Sequence, residues 1–180
     1  MAAIKLREAN RADASIIGAL HVASWRETYE GILPDETLAG LSVEARTAMW
    51  STVLGDPDEG TYVLVAEEGG NVVGFGSCGR QRDEALADAG FSGEIGTVYV
   101  LRSSQNRGAG RLLMAAMAEA MSSRGHMAAS LWVLRENARA RAFYEYLGGE
   151  MIGEKKDEQP EATLVEVAYG WRDLSRLTRS

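Results

Sequence analysis

The chain has 180 residues, the size of one ordinary domain, with 46% hydrophobic and 25% charged residues, as in globular proteins. Its net charge of −7 argues against general binding of nucleic acid, and no apolar run reaches the roughly 18 residues of a membrane span. Two histidines and one cysteine, Cys78, supply neither a disulfide nor a metal-ligand cluster, so we expect no metal. The charged segment 1–10 does not resemble a signal peptide, and we expect a single domain over 1–180 in the cytoplasm.

The amino-terminal half predicts a strand, two helical regions and a hairpin. A short strand covers 3–8, and a helix capped by Asn10 or Asp13 runs to about Tyr29. The second helical region spans about 35–54, with another start at Ser42. Two β-rich runs joined by Gly-Gly-Asn predict a hairpin over 61–80.

The second half mixes strands with two helices. The polar segment 81–93 predicts a loop, and the strand that follows contains Gly96, which indicates a bulge or a close backbone approach. The remaining predicted elements are a helix over 108–123, a strand over 127–134, a helix over 138–148, and a final strand pair over 150–156 and 162–171. This order predicts an α/β domain with a mixed sheet rather than a regularly alternating one.

The stretch "SSQNRGAGRLLM", residues 103–114, has the chemistry of an anion site. Gly108 and Gly110 lie between a predicted strand and a predicted helix, where backbone N–H groups and the helix dipole attract negative charge. Arg102, Arg107 and Arg111 add positive charge with no acid between them. A plain turn is the alternative. The stretch fits neither the phosphate-binding P-loop nor the Rossmann fingerprint.

Two signatures in this chain resemble the GNAT superfamily of acyl-CoA-dependent N-acyltransferases. "QNRGAG" fits its Gln/Arg-x-x-Gly-x-Gly/Ala pattern, and "NARARAFYEYLG" is similar to its second signature, through Asn137, Ala140, Tyr144 and Gly148. The amino-terminal half resembles many bacterial members, and the likeness covers most of 4–172. Arg102-Ser103-Ser104 stands where the family often has a proline, which changes loop stiffness but removes no donor.

The resemblance implies a fold and a cosubstrate. The fold is a central mixed, mostly antiparallel sheet of about seven strands with helices on both faces. The cosubstrate is acetyl-CoA. Its pyrophosphate would lie on the backbone N–H groups of Asn106, Arg107, Gly108, Ala109, Gly110 and Arg111, and Gln105 would also belong to the cofactor site. Its pantetheine arm would pair with the backbone of Val98, Tyr99 and Val100, and Asn137 would donate to it or simply cap a helix.

The resemblance also implies catalytic roles. Tyr144 would protonate the departing thiolate, or else it only packs with Ala140 and Leu147. Glu94 is the candidate base, acting directly or through water, because period two puts it on one face with Gly96 and Val98. An exposed strand-end charge is the alternative for Glu94. The Val98 N–H would stabilise negative charge on the thioester oxygen.

The acceptor would be a primary amine of a small molecule or a peptide. Trp25 and Tyr29, and less strongly Trp50, are candidate contacts, although aromatic residues at helical spacing are more often core. The acids of 81–94 either attract a cationic amine or keep the loop soluble. A homodimer through the C-terminal strands around Trp171 is also compatible with the resemblance.

Two other functions stay open at this point. A non-catalytic acyl-CoA-binding sensor or scaffold would need neither Glu94 nor Tyr144, so their presence favours the enzyme. A nucleotide-binding domain is disfavoured by the missing P-loop and Rossmann patterns. Cys78 lies away from both signatures, so direct transfer without a covalent enzyme intermediate is expected.

Overall fold

The computed structural model describes residues 2–56, 60–158 and 163–179. The strands are β1 (Ile4–Glu8), β2 (Tyr62–Glu68), β3 (Asn71–Arg80), β4 (Gly93–Val100), β5 (Ala129–Leu134), β6 (Glu150–Glu158) and β7 (Thr163–Trp171). The helices are α1 (Ala14–Tyr29), α2 (Asp35–Ala39), α3 (Val43–Gly55), α4 (Glu84–Asp88), α5 (Ala109–Ser123), α6 (Ala138–Tyr146) and α7 (Ser175–Thr178). None of the helices in these ranges is both long and apolar enough to span a membrane.

The described strands form one seven-stranded sheet in the order β1-β2-β3-β4-β5-β7-β6. The β4–β5 pair is parallel, whereas the other neighbouring strands are antiparallel. The predicted mixed, mostly antiparallel sheet is therefore confirmed. Such a sheet has one parallel pair because α5 carries the chain from the end of β4 back to the start of β5.

Helices cover both faces of the sheet. On one face, α5 contributes the fully buried Leu113, Met114 and Met117 to the larger core. On the other face, α1 and α3 pack over Phe75 through Ile17 and Trp50. This division gives each strand residue a defined side, since alternate side chains point to opposite faces.

Several local predictions differ from the structure. The segment 81–93 is not all loop: Asp83 accepts a hydrogen bond from Leu86 N at 3.2 Å and starts α4, whose Leu86 is buried. Asn10 and Asp13 form a reciprocal capping box on a 3-10 turn, and α1 begins only at Ala14. The start of the last predicted strand, at 162, lies outside the described residues.

Trp171 does not contribute to the suggested contact between copies through the C-terminal strands, whereas the homodimer itself stays a prediction. Trp171 is only 2% exposed, and its Nε1 donates to the Leu147 carbonyl at 3.0 Å. A side chain that fills the core of its own chain offers no surface to a second copy.

A close contact between α1 and α3 occurs at Gly18. A Cβ added there would lie 2.5 Å from Thr47 Oγ1 and 2.7 Å from Thr47 N. The second of these atoms belongs to the backbone of α3 and cannot move away as a flexible side chain would. Glycine at this position therefore sets how closely the two helices approach.

We predict that Gly18→Ala destabilises the protein by about 1–3 kcal/mol, because the added methyl group pushes α3 away from α1. In an unobstructed helix the same change stabilises by up to about 1 kcal/mol. The close contact and plain helix propensity therefore predict opposite signs for the change in the free energy of unfolding. Urea unfolding of the variant and the parent measures the difference. A higher urea midpoint for Gly18→Ala would contradict the close contact.

Candidate active site

The centre of the sheet opens where β4 and β5 separate. Their registered pairs are Gly93 with Ala129 and Glu94 with Ser130, whereas β4 continues to Val100. A cleft of about 820 Å³ fills the opening and is lined by both strands, the end of α1, the start of α5 and α6. The β4 edge toward β5 is thus available to a ligand beyond Glu94.

A bulge in β4 lies directly after this point. Ser77 pairs with Thr97 and Cys78 with Ile95, so Gly96 is an extra residue without a partner. The predicted bulge is confirmed. It also reverses the alternation of faces: Ile95 and Val98, three residues apart, both belong to the core under α5.

The reversal corrects the placement of Glu94. Glu94 shares a face with Gly96, as expected, but not with Val98, because the period-two argument does not hold across a bulge. Glu94 is therefore on the side of α1 and α3. Both of its oxygens accept hydrogen bonds from the Arg82 side chain, at 2.9 and 2.8 Å, and Oε2 also accepts one from Arg82 N. Glu94 is not among the residues that line the cleft.

Gln81 fastens the closed end of the opening. Its Nε2 donates to Ser130 Oγ at 2.6 Å and to the Gly93 carbonyl at 3.2 Å, and its Oε1 accepts from Asp83 N. Ser130 is fully buried and Gln81 nearly so. One amide side chain thus connects β3, β4 and β5 at the last residues where β4 and β5 pair. The sequence carried no signal for this role, since Gln81 reads as part of a polar loop.

The loop before α5 presents a row of free donors. The backbone N–H groups of residues 106–111 donate to no other described group, and the first hydrogen bond of the helix runs from Leu112 N to Gly108 O at 2.9 Å. Because α5 has 15 residues, its dipole adds partial positive charge at this end. The predicted anion site therefore has the donors it needs.

The conformation of this loop depends on two left-handed residues. Gly108 has φ +88, and a Cβ there would meet nothing within 4 Å, so a side chain would project into the open space of the loop. Asn106, at φ 60, takes the same region, which asparagine tolerates better than most residues. Both residues line the cleft.

Two buried polar atoms beside this loop have no partner among the described residues. They are Arg111 Nε and Gln105 Oε1. The other end of the Gln105 amide is engaged, since its Nε2 donates to the Val100 carbonyl at 2.8 Å and ties the loop to the end of β4. Buried donors and acceptors are normally satisfied in native proteins, so both atoms are available to a ligand, and Arg111 Nε can donate to an anion.

The other arginines of the stretch are already engaged. Arg107 forms an ion pair at 2.8 Å with Glu68, the last residue of β2. Arg102 donates from its backbone N–H to Glu27 Oε2 at 2.8 Å and from its guanidinium to the Glu27 carbonyl. Of the three arginines predicted to attract an anion, Arg111 alone has neither a side-chain nor a backbone hydrogen bond to a described carboxylate.

Tyr144 lines the cleft from α6 as a buried residue. Its ring packs against Phe143, Tyr169 and Trp171, and its hydroxyl has no hydrogen-bond partner among the described residues. Burial, followed by the influence of Tyr99, raises the pKa of Tyr144 well above its usual value. The phenol is therefore protonated at neutral pH and free to donate.

Asn137 also lines the cleft, at the start of α6. Its Oδ1 accepts from Ala140 N at 3.2 Å, so the predicted cap is confirmed. The amide nitrogen of the same side chain makes no bond to a described residue and is free to donate to a ligand.

The aromatic residues of α1 lie beside β4. Trp25 Nε1 donates to the Tyr99 hydroxyl at 2.9 Å, and the rings of Trp25 and Tyr29 are 4.9 Å apart. Tyr29 and Tyr99 line the cleft. Burial is the main cause that raises the pKa of both tyrosines. Trp50, by contrast, is 3% exposed and belongs to the core.

Two residues near this aromatic group were not predicted as site residues from the sequence. His21 is buried and accepts from Trp50 Nε1 at 3.0 Å, and burial lowers its pKa to about 4, with Arg46 adding to the effect. Trp132 of β5 lines the cleft with a buried Nε1 that has no partner among the described residues. A lone histidine and a strand tryptophan read as core in a sequence, so no signal distinguished them.

Comparisons with known proteins agree with this geometry. Residues 20–148 match the Acetyltransferase (GNAT) family. The uncharacterized N-acetyltransferase YuaI of Bacillus subtilis (strain 168) is 34% identical over 174 residues, which cover 97% of this chain and 96% of that protein.

Solved structures show the same fold. PaiA N-acetyltransferase from Thermoplasma acidophilum, in complex with coenzyme A, has a TM-score of 0.72 at 18% identity, over 91% of this chain and 98% of that one. YncA from Salmonella typhimurium, with its cofactor acetyl-CoA, has a TM-score of 0.70 at 22% identity, over 96% and 94% of the two chains.

The chain belongs to the GNAT family of acetyltransferases. The predicted family, fold and enzyme class, an N-acetyltransferase, are thereby confirmed.

We predict that Gln81→Leu destabilises the protein by about 1–3 kcal/mol, because it leaves the buried Ser130 hydroxyl without a partner. Urea unfolding measures the loss. The double variant Gln81→Leu/Ser130→Ala is the control, because removal of the orphaned hydroxyl should recover part of the stability. An unchanged urea midpoint for Gln81→Leu would contradict its role at the opening.

Proposed function

We propose that this protein transfers the acetyl group of acetyl-CoA directly to a primary amine of a small molecule or a peptide. The observation that carries the proposal is the set of free N–H groups over 106–111, beside a cleft bounded by a splayed strand. Coenzyme A supplies the acetyl group as a thioester. Two proteins of the same fold, one solved with coenzyme A and one with acetyl-CoA, support this choice of cosubstrate.

The proposed cofactor site uses groups that otherwise have no partner. The pyrophosphate would accept from the N–H groups of 106–111 and from Arg111 Nε, which is buried and unpaired. Arg107 would contribute less than the sequence suggested, because Glu68 already neutralises it. The free amide nitrogen of Asn137 would donate to the pantetheine arm.

The bulge supports a role for β4 in binding and in catalysis. The pantetheine arm would pair with the backbone of 98–100, along the edge that β5 leaves open. The Val98 N–H, two residues after the bulge, would donate to the thioester oxygen as negative charge develops there. Donors held in place before the reaction stabilise such charge without reorganisation.

Tyr144 is the proposed acid for the departing thiolate. Its hydroxyl is unpaired and lines the cleft, and its raised pKa keeps the proton in place. The low-dielectric surroundings that raise this pKa also destabilise a thiolate, which favours transfer of the proton.

Glu94 is proposed as the base that acts through water. An alkylamine with a pKa near 10.4 is almost entirely protonated at pH 7, so a proton acceptor assists the reaction. The Glu94 side chain is 14% exposed and that of its partner Arg82 is 80% exposed. The Arg82 guanidinium, which holds both oxygens of Glu94, lies mostly in solvent, so the proposed path from the amine to Glu94 would run through water beside this ion pair.

We predict that Gly108→Trp weakens acetyl-CoA binding at least about tenfold, because the indole fills the space over the free N–H groups. Calorimetric titration measures the affinity. Gly125→Trp is the matched control, since Gly125 has the same φ of +88 and nothing within 4 Å of a Cβ, but lies after the other end of α5. Equal affinities for both variants, or no binding by the parent protein, would overturn the proposal.

We predict that Tyr144→Phe lowers kcat by about 10²-fold or more and leaves acetyl-CoA affinity within threefold, because it removes only the proton donor. Tyr146→Phe is the control, since Tyr146 lies in the same helix but is 74% exposed. Because the pKa of Tyr144 is raised, wild-type kcat should not decline between about pH 7.5 and 9.5. Thiol release measures kcat for both variants and its pH dependence in the parent protein, and calorimetry measures the affinity for acetyl-CoA. Equal kcat values for both variants would remove Tyr144 from the mechanism.

A further inference from the structure

The tryptophan of β5 carries a buried donor without a partner. Trp132 lines the cleft, and its Nε1 is buried but makes no hydrogen bond to any described residue. The other three tryptophans, Trp25, Trp50 and Trp171, each donate to a described residue. Because a buried indole N–H normally finds an acceptor, an oxygen atom that enters the cleft would gain a hydrogen bond from a donor that is otherwise unused.

Trp132 lies on the face of the sheet opposite α5. Its neighbours in β5, Leu131 and Val133, belong to the core under α5, so the alternation of side chains puts Trp132 on the other face. Gly96 of the bulge is on the same face of β4. The last registered pair of the two strands lies two residues before Gly96 in β4 and two residues before Trp132 in β5. An acceptor that approaches the bulge from this face therefore passes Trp132.

Contacts from β6 hold the indole in place. Lys155 Nζ lies 4.2 Å from the centroid of the Trp132 ring, and a Cβ added at Gly153 would lie 3.8 Å from Trp132 Cη2. Lys155 also pairs with Glu166 at 3.4 Å, which balances part of its charge. A donor on a ring that is already packed loses little side-chain entropy when a ligand binds.

The chemistry of this donor favours a neutral oxygen close to the reacting amine. One uncharged N–H offsets the desolvation of a carbonyl oxygen, but not the much larger cost of desolvating an ionised carboxylate. Neighbouring strands lie about 5 Å apart where they pair, so Trp132 and the bulge at Gly96 face each other across a narrow opening. A carbonyl group on the carbon atom that bears the amine meets both conditions.

We propose that Trp132 Nε1 donates a hydrogen bond to a neutral carbonyl oxygen beside the reacting amine, so that the preferred acceptors are α-amino amides. The amino terminus of a peptide presents the same group. This inference rests on the proposed acetyl transfer and names the acceptor class for it. Trp132 determines specificity in this scheme and transfers no proton.

The inference differs from one expectation from the sequence, in which the acids of 81–94 were candidates to attract a cationic amine. The structure engages Asp83 as the cap of α4 and Glu94 with Arg82. Neither is a free carboxylate for that purpose, whereas the N–H of Trp132 is a free donor among the described residues.

The test compares matched acceptors in the thiol-release assay. Each α-amino amide is paired with the amine that lacks its carboxamide: phenylalaninamide with phenethylamine, leucinamide with isoamylamine, and lysinamide with cadaverine. The free amino acids supply a charged oxygen, and tripeptide amides with the same first residues distinguish a peptide terminus from a small amide. KM is expressed per concentration of unprotonated amine, because a carboxamide lowers the pKa of the amine beside it. We expect a lower KM for the amide in the pair that is turned over best.

The Trp132→Phe variant should raise the KM of that amide about 10- to 100-fold and leave the KM of the paired amine within threefold. Trp132→His, which keeps a ring N–H in the place of Nε1 but lacks the six-membered ring, should recover part of the effect. Trp50→Phe is the matched control, because its indole N–H is bound by His21 in the core, and the ratio of the two KM values should not change. A merely structural role for Trp132 would raise both KM values equally.

Three results would overturn the inference. They are equal KM values for the amide and the amine in the parent protein, a lower KM for the free amino acid than for its amide, and an unchanged KM for the amide in Trp132→Phe. If the protein binds acetyl-CoA but acetylates none of the α-amino amides, the inference fails as well and the proposed transfer to another amine stands. If the parent protein does not bind acetyl-CoA in calorimetry, the proposed function itself fails, and this is known before any acceptor is added.

Discussion

The separation of β4 from β5 is the constraint on which the rest of the site depends. Two neighbouring parallel strands normally satisfy each other's backbone groups along their length. Here the registered pairing stops at Glu94 and Ser130, Gln81 fastens that point, and the extra residue Gly96 turns β4 away. The cleft, the open strand edge and the approach to Tyr144 all follow from this opening.

The opening connects the two faces of the sheet, and each face has its own chemistry. On the α5 face, free backbone donors and an unpaired Arg111 Nε favour a polyanion. On the face of α1 and α3, tyrosines and tryptophans lie against β4, and Trp25 Nε1 donates to the Tyr99 hydroxyl. In the proposed reaction, the two ligands would meet where β4 and β5 separate.

Electrostatic pairing decides which of the arginines near the cleft remain available. Arg107 and Arg82 have carboxylate partners at 2.8 Å, whereas Arg111 and Arg139, which line the cleft, have none among the described residues. A sequence shows that a local stretch is basic, but it does not show which cation is neutralised by a residue far away in the chain. Glu68 neutralises Arg107 from 39 positions away.

The sequence by itself determined the elements and the two signatures, because helix caps, hairpin turns and strand alternation depend on neighbouring residues. It therefore predicted the seven-stranded sheet, the bulge at Gly96, the anion loop at Gly108 and the helical position of Tyr144. Only the tertiary structure decided the face of Glu94, the burial of Trp171, the role of Gln81 and the lack of a described partner for the Trp132 N–H. Each of these depends on contacts between segments distant in sequence, which local patterns do not encode.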